Sequence, residues 1–433
     1  MGTFPKQIKY IVGNEACERF SYYGMLSILT LYLSNSMHMG GDRAKQTVHL
    51  FATAVYFLPL LGGWLADRFL GRYWTILSLS LFYCAGHVAL AIFEGNISGI
   101  YLGLGLIALG AGGIKPCVSA FVGDQFQEGD HDKLRKVYGL FYASINLGAF
   151  AGPLLIPLLR DRKGYSWAFA LPGIFMALAT VIFWAGRRHY VVKAPMRANR
   201  DVPRAPNTPG SWPTIRGIVL IFLPVPIFWA LFNQVHTTWV LQAEHMTPFH
   251  LIGFKVDAER MQSAGALLVL IWVPVLTLGV YPFLERRNFR VTPLRRMGCG
   301  MFLAAISFIA SSWIQSRIDG GAKPTVALQL LPYTILEAGE VMLSATALEV
   351  AFSRAPATMK STIMSLWLMT IAGGHFLVAV ITNLNSRFFQ AKGASEFLFY
   401  AVLMFVGTGV FVWIASRDRG PTPAVPAPAT APA

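Results

Sequence analysis

Residues 13–25 read GNEACERFSYYGM, and residues 26–34 continue as LSILTLYLS, as apolar as a membrane span. Glu15, Glu18 and Arg19 therefore stand inside what reads as a lipid-buried helix. A charged side chain at mid-bilayer costs roughly 2.5–3.5 kcal/mol on insertion scales, so such residues face the bundle interior and need partners. Positions 15, 18, 19 and 22 share one helical face, and Glu15 precedes Arg19 by one turn, the favourable order for an ion pair. Tyr22 extends this stripe and Tyr23 borders it. Snorkelling to an interface would account for Glu15. It fits Glu18 and Arg19 poorly, because Lys6 and Lys9 lie nearer the end of the helix.

The rest of the chain supports a membrane reading. Of 433 residues, 55% are hydrophobic and 13% charged, where soluble domains carry about 25% charged residues. Twelve apolar stretches are long enough to cross a bilayer. They run near 11–36, 47–67, 73–93, 99–122, 138–160, 165–186, 215–242, 262–284, 294–315, 325–351, 360–384 and 394–416. The net charge of +15 could suggest nucleic acid. The bases sit between apolar spans, so loop bias explains it and no nucleic-acid partner is expected. With both termini cytoplasmic, Lys and Arg favour the cytoplasmic side about two to one, as the positive-inside rule requires. Lys6 and Lys9 lead straight into the first span, so no cleavable signal peptide is expected.

Residues 187–214 are basic and proline-rich and read as a linker between a six-helix bundle at 1–186 and a second at 215–416. Residues 417–433, rich in Pro and Ala, read as a disordered cytoplasmic tail. The halves repeat weakly and in chain order. Asp67-Arg68…Arg72 matches Glu285-Arg286…Arg290, Ala111-Gly112 matches Ala338-Gly339, and Tyr142…Gly148 matches Trp367…Gly373. A six-plus-six duplication places a substrate site between the halves near the midplane.

Cys17, Cys84, Cys117 and Cys299 each lie in or beside an apolar run and read as buried thiols, not a disulfide framework. No CxxC or Cys/His cluster suggests zinc, and neither a metal nor a cofactor is expected. HExxH and GxSxG are absent, so an intramembrane enzyme has no motif to carry it. The glycines from Gly103 to Gly113 follow no strand and read as helix-packing residues, not a nucleotide loop.

Lys115 lies toward the middle or inner half of the fourth span, beside Pro116, which breaks the backbone ladder and suits a cavity-lining segment. Span ten carries Glu337 and Glu340 one turn apart near its centre, with Glu349 toward its cytoplasmic end as a structural charge. Glu15 and Glu18 balance Arg19 and Lys115. Glu340 is left over, and Glu337 with it. An unpaired buried carboxylate takes a proton or waits for a cation. A cavity with bases in one half and an acid in the other suits a small zwitterion.

The twelve-span duplication resembles the major facilitator superfamily, and GGWLADRFLGR (residues 62–72) matches that superfamily's motif through Gly63, Asp67, Arg68, Gly71 and Arg72. Its charged turn can latch against a neighbouring helix. ExxERFSYYG (residues 15–24) resembles the hallmark of proton-coupled oligopeptide transporters. So do GAGGIKPCVSAF with Lys115, FYASINLGAF with Asn146, AGEVMLSATALEVAFSRAPATMKS and FWALFNQVHTTWVLQA. The matches extend over nearly the whole chain.

The resemblance implies uptake of di- and tripeptides driven by protons, in an all-α polytopic protein of a cell membrane, bacterial to judge from its short loops. It is expected to work as a monomer surrounded by lipid. Carried over residue by residue, Arg19, Lys115 and Asn146 would face the peptide carboxylate and backbone, and Glu340, with Ser344 a turn away, the amino group. Tyr22, Tyr23, Tyr56 and Trp367 would line side-chain pockets. Glu15, Glu18, Arg19, Lys115 and Glu340 would couple proton movement. His49 matches a histidine implicated in that coupling, although a buried, hydrogen-bonded imidazole is an equal reading.

The chain departs from the family pattern at three places. Leu26 stands where many members carry Arg or Lys, and Asn233 where many carry an acid, so the usual gate pair is lost. Gly265 stands where an asparagine often lies near the peptide. His236 reads as a packing residue in preference to a site residue. Bacterial members often add two helices between the halves; the linker here leaves room for none, giving twelve spans. A same-fold carrier of nitrate or another small solute is the alternative, and retention of Glu15 and Glu18 argues against it.

Overall fold

The computed structural model describes residues 4–127, 131–195, 211–251, 253–354 and 360–418. Most of the linker at 187–214 and of the tail at 417–433 lies outside them.

Among the described residues twelve helical units follow one another. They are α1 (Ile8–Leu31), α2 (Gly41–Phe57, continued by Pro59–Leu65), α3 (Gly71–Ile92), α4 (Ile97–Asp124), α5 (His131–Lys163) and α6 (Tyr165–Ala185). The second half holds α7 (Ser211–Phe222, Val225–Phe232 and Thr238–Glu244) and α8 (Ser263–Pro274, then Tyr281–Arg286). It ends with α9 (Pro293–Asp319), α10 (Leu330–Arg354), α11 (Lys360–Leu384) and α12 (Ala394–Arg417). Among the described residues ten helical stretches qualify as spans by length and hydropathy, and one of them, Gly41–Ile92, runs 52 residues and holds both α2 and α3. The α1 helix is not among the ten, as its buried Glu15 and Glu18 would suggest.

The all-α reading misses one small element. Phe249–Leu251 and Phe254–Val256 pair antiparallel, His250 opposite Lys255, as a hairpin in the loop before α8. Pro116 also behaves differently from expectation, since α4 runs through it unbroken. The broken helix is α7. Pro224 ends its first segment, and a 3-10 turn at Asn233–His236 separates the second from the third. The His236 carbonyl freed by that break finds a side-chain donor, Thr30 Oγ1 at 2.6 Å, and across the third segment Gln329 Nε2 donates to Trp239 O at 2.9 Å. Irregular backbone at membrane depth persists only where it is satisfied in this way or lines a cavity.

The repeat seen in the sequence is also a repeat of packing. In the first half α1 packs on α5 and α6, and α3 on α4 and α6; in the second, α7 packs on α11 and α12, and α9 on α10 and α12. Lipid supplies no hydrophobic drive between helices, so small residues that allow close approach hold them. A Cβ on Gly152 would lie 2.7 Å from the Gly24 nitrogen and the Phe20 carbonyl oxygen. In the second half a Cβ on Gly374 would lie 2.4 Å from Trp229 Cβ. Gly103 and Gly110 press on α3 in the same manner, confirming their packing role.

The charged turn after α2 latches as expected. Gly71 takes φ +75° there, which the bend requires. Arg72, at the start of α3, bonds Asp124 at the end of α4 at 2.5 Å and stands 3.9 Å from Asp67, while Lys193 joins Asp124 at 2.8 Å. The second half repeats the device with Arg296 and Glu349 at 3.6 Å, the structural role expected for Glu349. All four cysteines are free. Cys117 is buried, Cys17 and Cys84 are partly so, and Cys299 is exposed, which corrects the expectation of four buried thiols. An apolar run alone does not separate a core face from a lipid face. Many large apolar side chains point outward, Ile92, Leu147 and Leu278 among them, as a multi-pass membrane protein requires.

Candidate functional site

Arg19 sits between its two acids. Its Nε lies 2.6 Å from Glu15 Oε1 and 3.0 Å from Glu18 Oε2. Lys115 Nζ approaches Glu18 from α4 at 3.7 Å. The four charges sum to zero inside the first half, which makes them tolerable at this depth. The acids are sealed, with side chains 3% and 1% exposed, while Arg19 keeps 12%. Arg19 is thus the most exposed member of the cluster, with Lys115 keeping 8%.

A cavity of about 240 Å³ opens between the halves. Tyr22, Tyr23, Tyr56, Tyr142 and Asn146 line it from the first half. Trp229, Asn233, His236, Gln262, Glu337, Glu340 and His375 line it from the second. Of the residues expected to contact substrate, Tyr22, Tyr23, Tyr56, Asn146 and Glu340 therefore face the cavity. Arg19, Lys115, Ser344 and Trp367 are not among the lining residues, and Lys115, Ser344 and Trp367 hold residues that are. Lys115 Nζ lies 4.3 Å above the Tyr22 ring and 5.8 Å from that of Tyr56. Ser344 Oγ donates to Glu340 Oε1 at 2.6 Å. Trp367 meets Trp229 edge to face, ring centres 5.7 Å apart. Asn146 Nδ2 donates to the Tyr142 carbonyl at 3.0 Å.

The two halves are joined at the end of the bundle away from the N-terminus. His49 is fully buried, with Nδ1 3.0 Å from His375 Nδ1 and Nε2 2.9 Å from Thr237 Oγ1. Gln262 Nε2 donates to the Ser27 carbonyl at 3.0 Å, and its Oε1 lies 2.7 Å from His236 Nδ1. His236 is therefore both bonded, as the packing reading expects, and cavity-lining, as the site reading expects. Farther out, Lys45 pairs with Glu396 at 2.6 Å, and Asn35 Nδ2 donates to Glu244 at 2.6 Å. Arg160 pairs with Glu259, and Arg260 reaches Asp161 at 2.6 Å. Burial pushes the Glu259 carboxyl up to about 8, against the pull of Arg160. Leu26 and Asn233 face the same cavity without a charge between them. The seal is made instead by these imidazole, amide and peripheral ion-pair contacts.

His375, Gln262 and the Arg160–Glu259 pair escape the sequence reading. His375 is a lone histidine in an apolar span, and its meaning comes only from the helix opposite. Arg160 and Glu259 flank spans at loop edges, where charges are ordinary. Their one signal is that Glu259 and Arg260 directly precede an apolar run while Arg160 and Asp161 directly follow one.

The paired bundles, the broken α7 and a cavity between the halves form the major facilitator fold. Residues 73–201 and 214–398 match the POT family. Solute carrier family 15 member 2 of Danio rerio is 37% identical over 359 residues, covering 72% of this chain and 50% of that protein. Peptide transporter family 1 of Drosophila melanogaster is 35% identical over 363 residues, covering 74% and 49%. The chain spans about half the length of these curated relatives. The crystal structure of an auto-inhibited POT family peptide transporter superposes with a TM-score of 0.90 at 35% identity, covering 98% of this chain and 99% of that one. The POT family transporter PepTSo gives 0.88 at 35% identity, covering 96% and 98%. The chain belongs to the POT family.

Proposed function

We propose that the protein is a proton-coupled symporter that imports di- and tripeptides by alternating access, with both termini in the cytoplasm of a bacterial cell and the chain acting as a monomer in the inner membrane. The observation that carries this reading is Arg19 held between Glu15 and Glu18 as the most exposed charge of the cluster. A peptide carboxylate docking on Arg19 and Lys115 competes with the two glutamates. The displaced carboxylate, having lost its opposite charge, binds a proton more readily. Peptide and proton binding thus become linked, and the linkage is reciprocal. Glu340, oriented by Ser344, takes the peptide's ammonium from the other half, so the zwitterion spans the two bundles. No other cofactor is needed; the coupling ion is the proton. His49, bonded across the halves, joins the release of the seal to this cycle.

Competition with uptake of labelled dialanine tests the substrate class. A tripeptide should compete and nitrate should not; the reverse pattern would assign the site to small anions. Glu340→Gln should abolish peptide binding, and retained affinity would remove the anchoring role.

A further inference from the structure

Glu337 is the one carboxylate of the cavity that the proposed peptide cycle leaves without work. It is 3% exposed, and its Oε2 has no hydrogen-bond partner. It lines the cavity one helical turn from Glu340. Its position depends on the residue opposite. A Cβ added to Gly265 on α8 would stand 2.6 Å from Glu337 Oε1. Only the missing side chain at Gly265 leaves room for the carboxylate.

The wall around it supplies no cation. Among the described residues no Lys or Arg lines the cavity, and Arg19 and Lys115 are engaged with Glu15 and Glu18. The two imidazoles that line it are engaged as well, His236 with Gln262 and His375 with His49. Two carboxylates one turn apart are therefore met either by protons or by what enters the cavity. A dipeptide with neutral side chains brings one ammonium, enough for Glu340 alone. A peptide with a basic side chain brings two. Beside Glu337, Ala266 and Val269 of α8 line the same space and give an apolar surface for a lysine stem.

We propose that Glu337 and Glu340, with the gap at Gly265, form a two-carboxylate subsite that selects peptides carrying a basic side chain, ammonium terminus on Glu340 and side-chain cation on Glu337. This rests on the reading of the protein as a peptide transporter.

The test compares Ala-Lys with Ala-norleucine, the neutral counterpart of similar length, as competitors of labelled dialanine uptake into proteoliposomes. The wild type should prefer Ala-Lys by about tenfold, the scale of one added charge-assisted contact. Glu337→Gln should bring the ratio to about one. Both peptides are read on the same protein, so a loss of folded protein scales both and leaves the ratio intact. Should Glu337→Gln fail to fold, Gly265→Ala, whose Cβ displaces the carboxylate, should lower the ratio in its place. Equal competition in the wild type, or an unchanged ratio in the variants, would overturn the subsite while leaving peptide transport standing. A variant that changes only the pH dependence of dialanine uptake would mark Glu337 as a proton site and overturn it too. Absence of any dialanine uptake or peptide binding in the wild type would overturn both readings.

Discussion

His49 on α2 and His375 on α11 meet across the two halves with their Nδ1 atoms 3.0 Å apart, and Tyr56 stacks on the His375 ring. Two Nδ1 atoms share one hydrogen, so at least one imidazole must present a bare nitrogen. One added proton leaves a donor and an acceptor in place. A second turns both atoms into donors, and the bond is lost.

His375→Ala and His49→Ala should therefore each favour opening of that end, with the double variant little worse than either. A buried neutral hydrogen bond contributes about 1 kcal/mol, so the closed-to-open ratio should fall about fivefold. Distances between spin labels across that end would show it. Additive effects in the double variant would mean that the two rings do not act as a pair.

Arg160 and Glu259 close the periphery of the same end. In the closed form burial holds the Glu259 carboxyl up near about 8, and opening to water returns it toward its ordinary 4.5. Opening thus releases a proton, and rising pH between about 4.5 and 8 favours the open form. The same distance measurement from about pH 5 to about 8 should show lengthening in the wild type and a flattened response in Glu259→Gln. An equal response in both would place the titrating group elsewhere.

Glu18 lies between Arg19 and Lys115, 3.0 and 3.7 Å from their nitrogens. Its exchange for Gln removes the carboxylate charge while keeping the shape. Peptide exchange across the membrane should survive at least in part, whereas accumulation driven by a proton gradient should be lost. Intact accumulation would move coupling to another residue.

Leu26 is 3% exposed and shares the cavity with Asn233, whose Nδ2 has no partner. Leu26→Arg alone should depress uptake strongly, since an unpaired buried charge costs about 3–5 kcal/mol. Adding Asn233→Asp should restore part of the rate. If the single variant transports normally, water reaches that position throughout the cycle.

The sequence carries the membrane class, the twelve helices, the duplication and the charge cluster at Glu15, Glu18, Arg19 and Lys115. Each is written in local pattern: apolar length, helical spacing, and acids too costly to bury without a purpose. The order of layers is less legible. Lys115 and Trp367 read as substrate contacts yet stand behind Tyr22 and Trp229, because depth within a bundle depends on neighbours far away in the chain. Pairs such as His49 and His375 are invisible for the same reason. The hairpin at Phe249–Val256 has only short strands with weak alternation to announce it. Gly265 and Glu337 are each visible alone, and only the fold shows that the carboxylate occupies the space the glycine leaves.

The most direct test of the account is uptake of labelled dialanine into proteoliposomes with an inward proton gradient, without one, and with the gradient collapsed by an uncoupler. Proton-coupled peptide symport predicts accumulation above the external concentration only while the gradient lasts, with simple equilibration otherwise. Equal uptake in all three conditions would contradict coupling, and no uptake in any of them would contradict peptide transport itself.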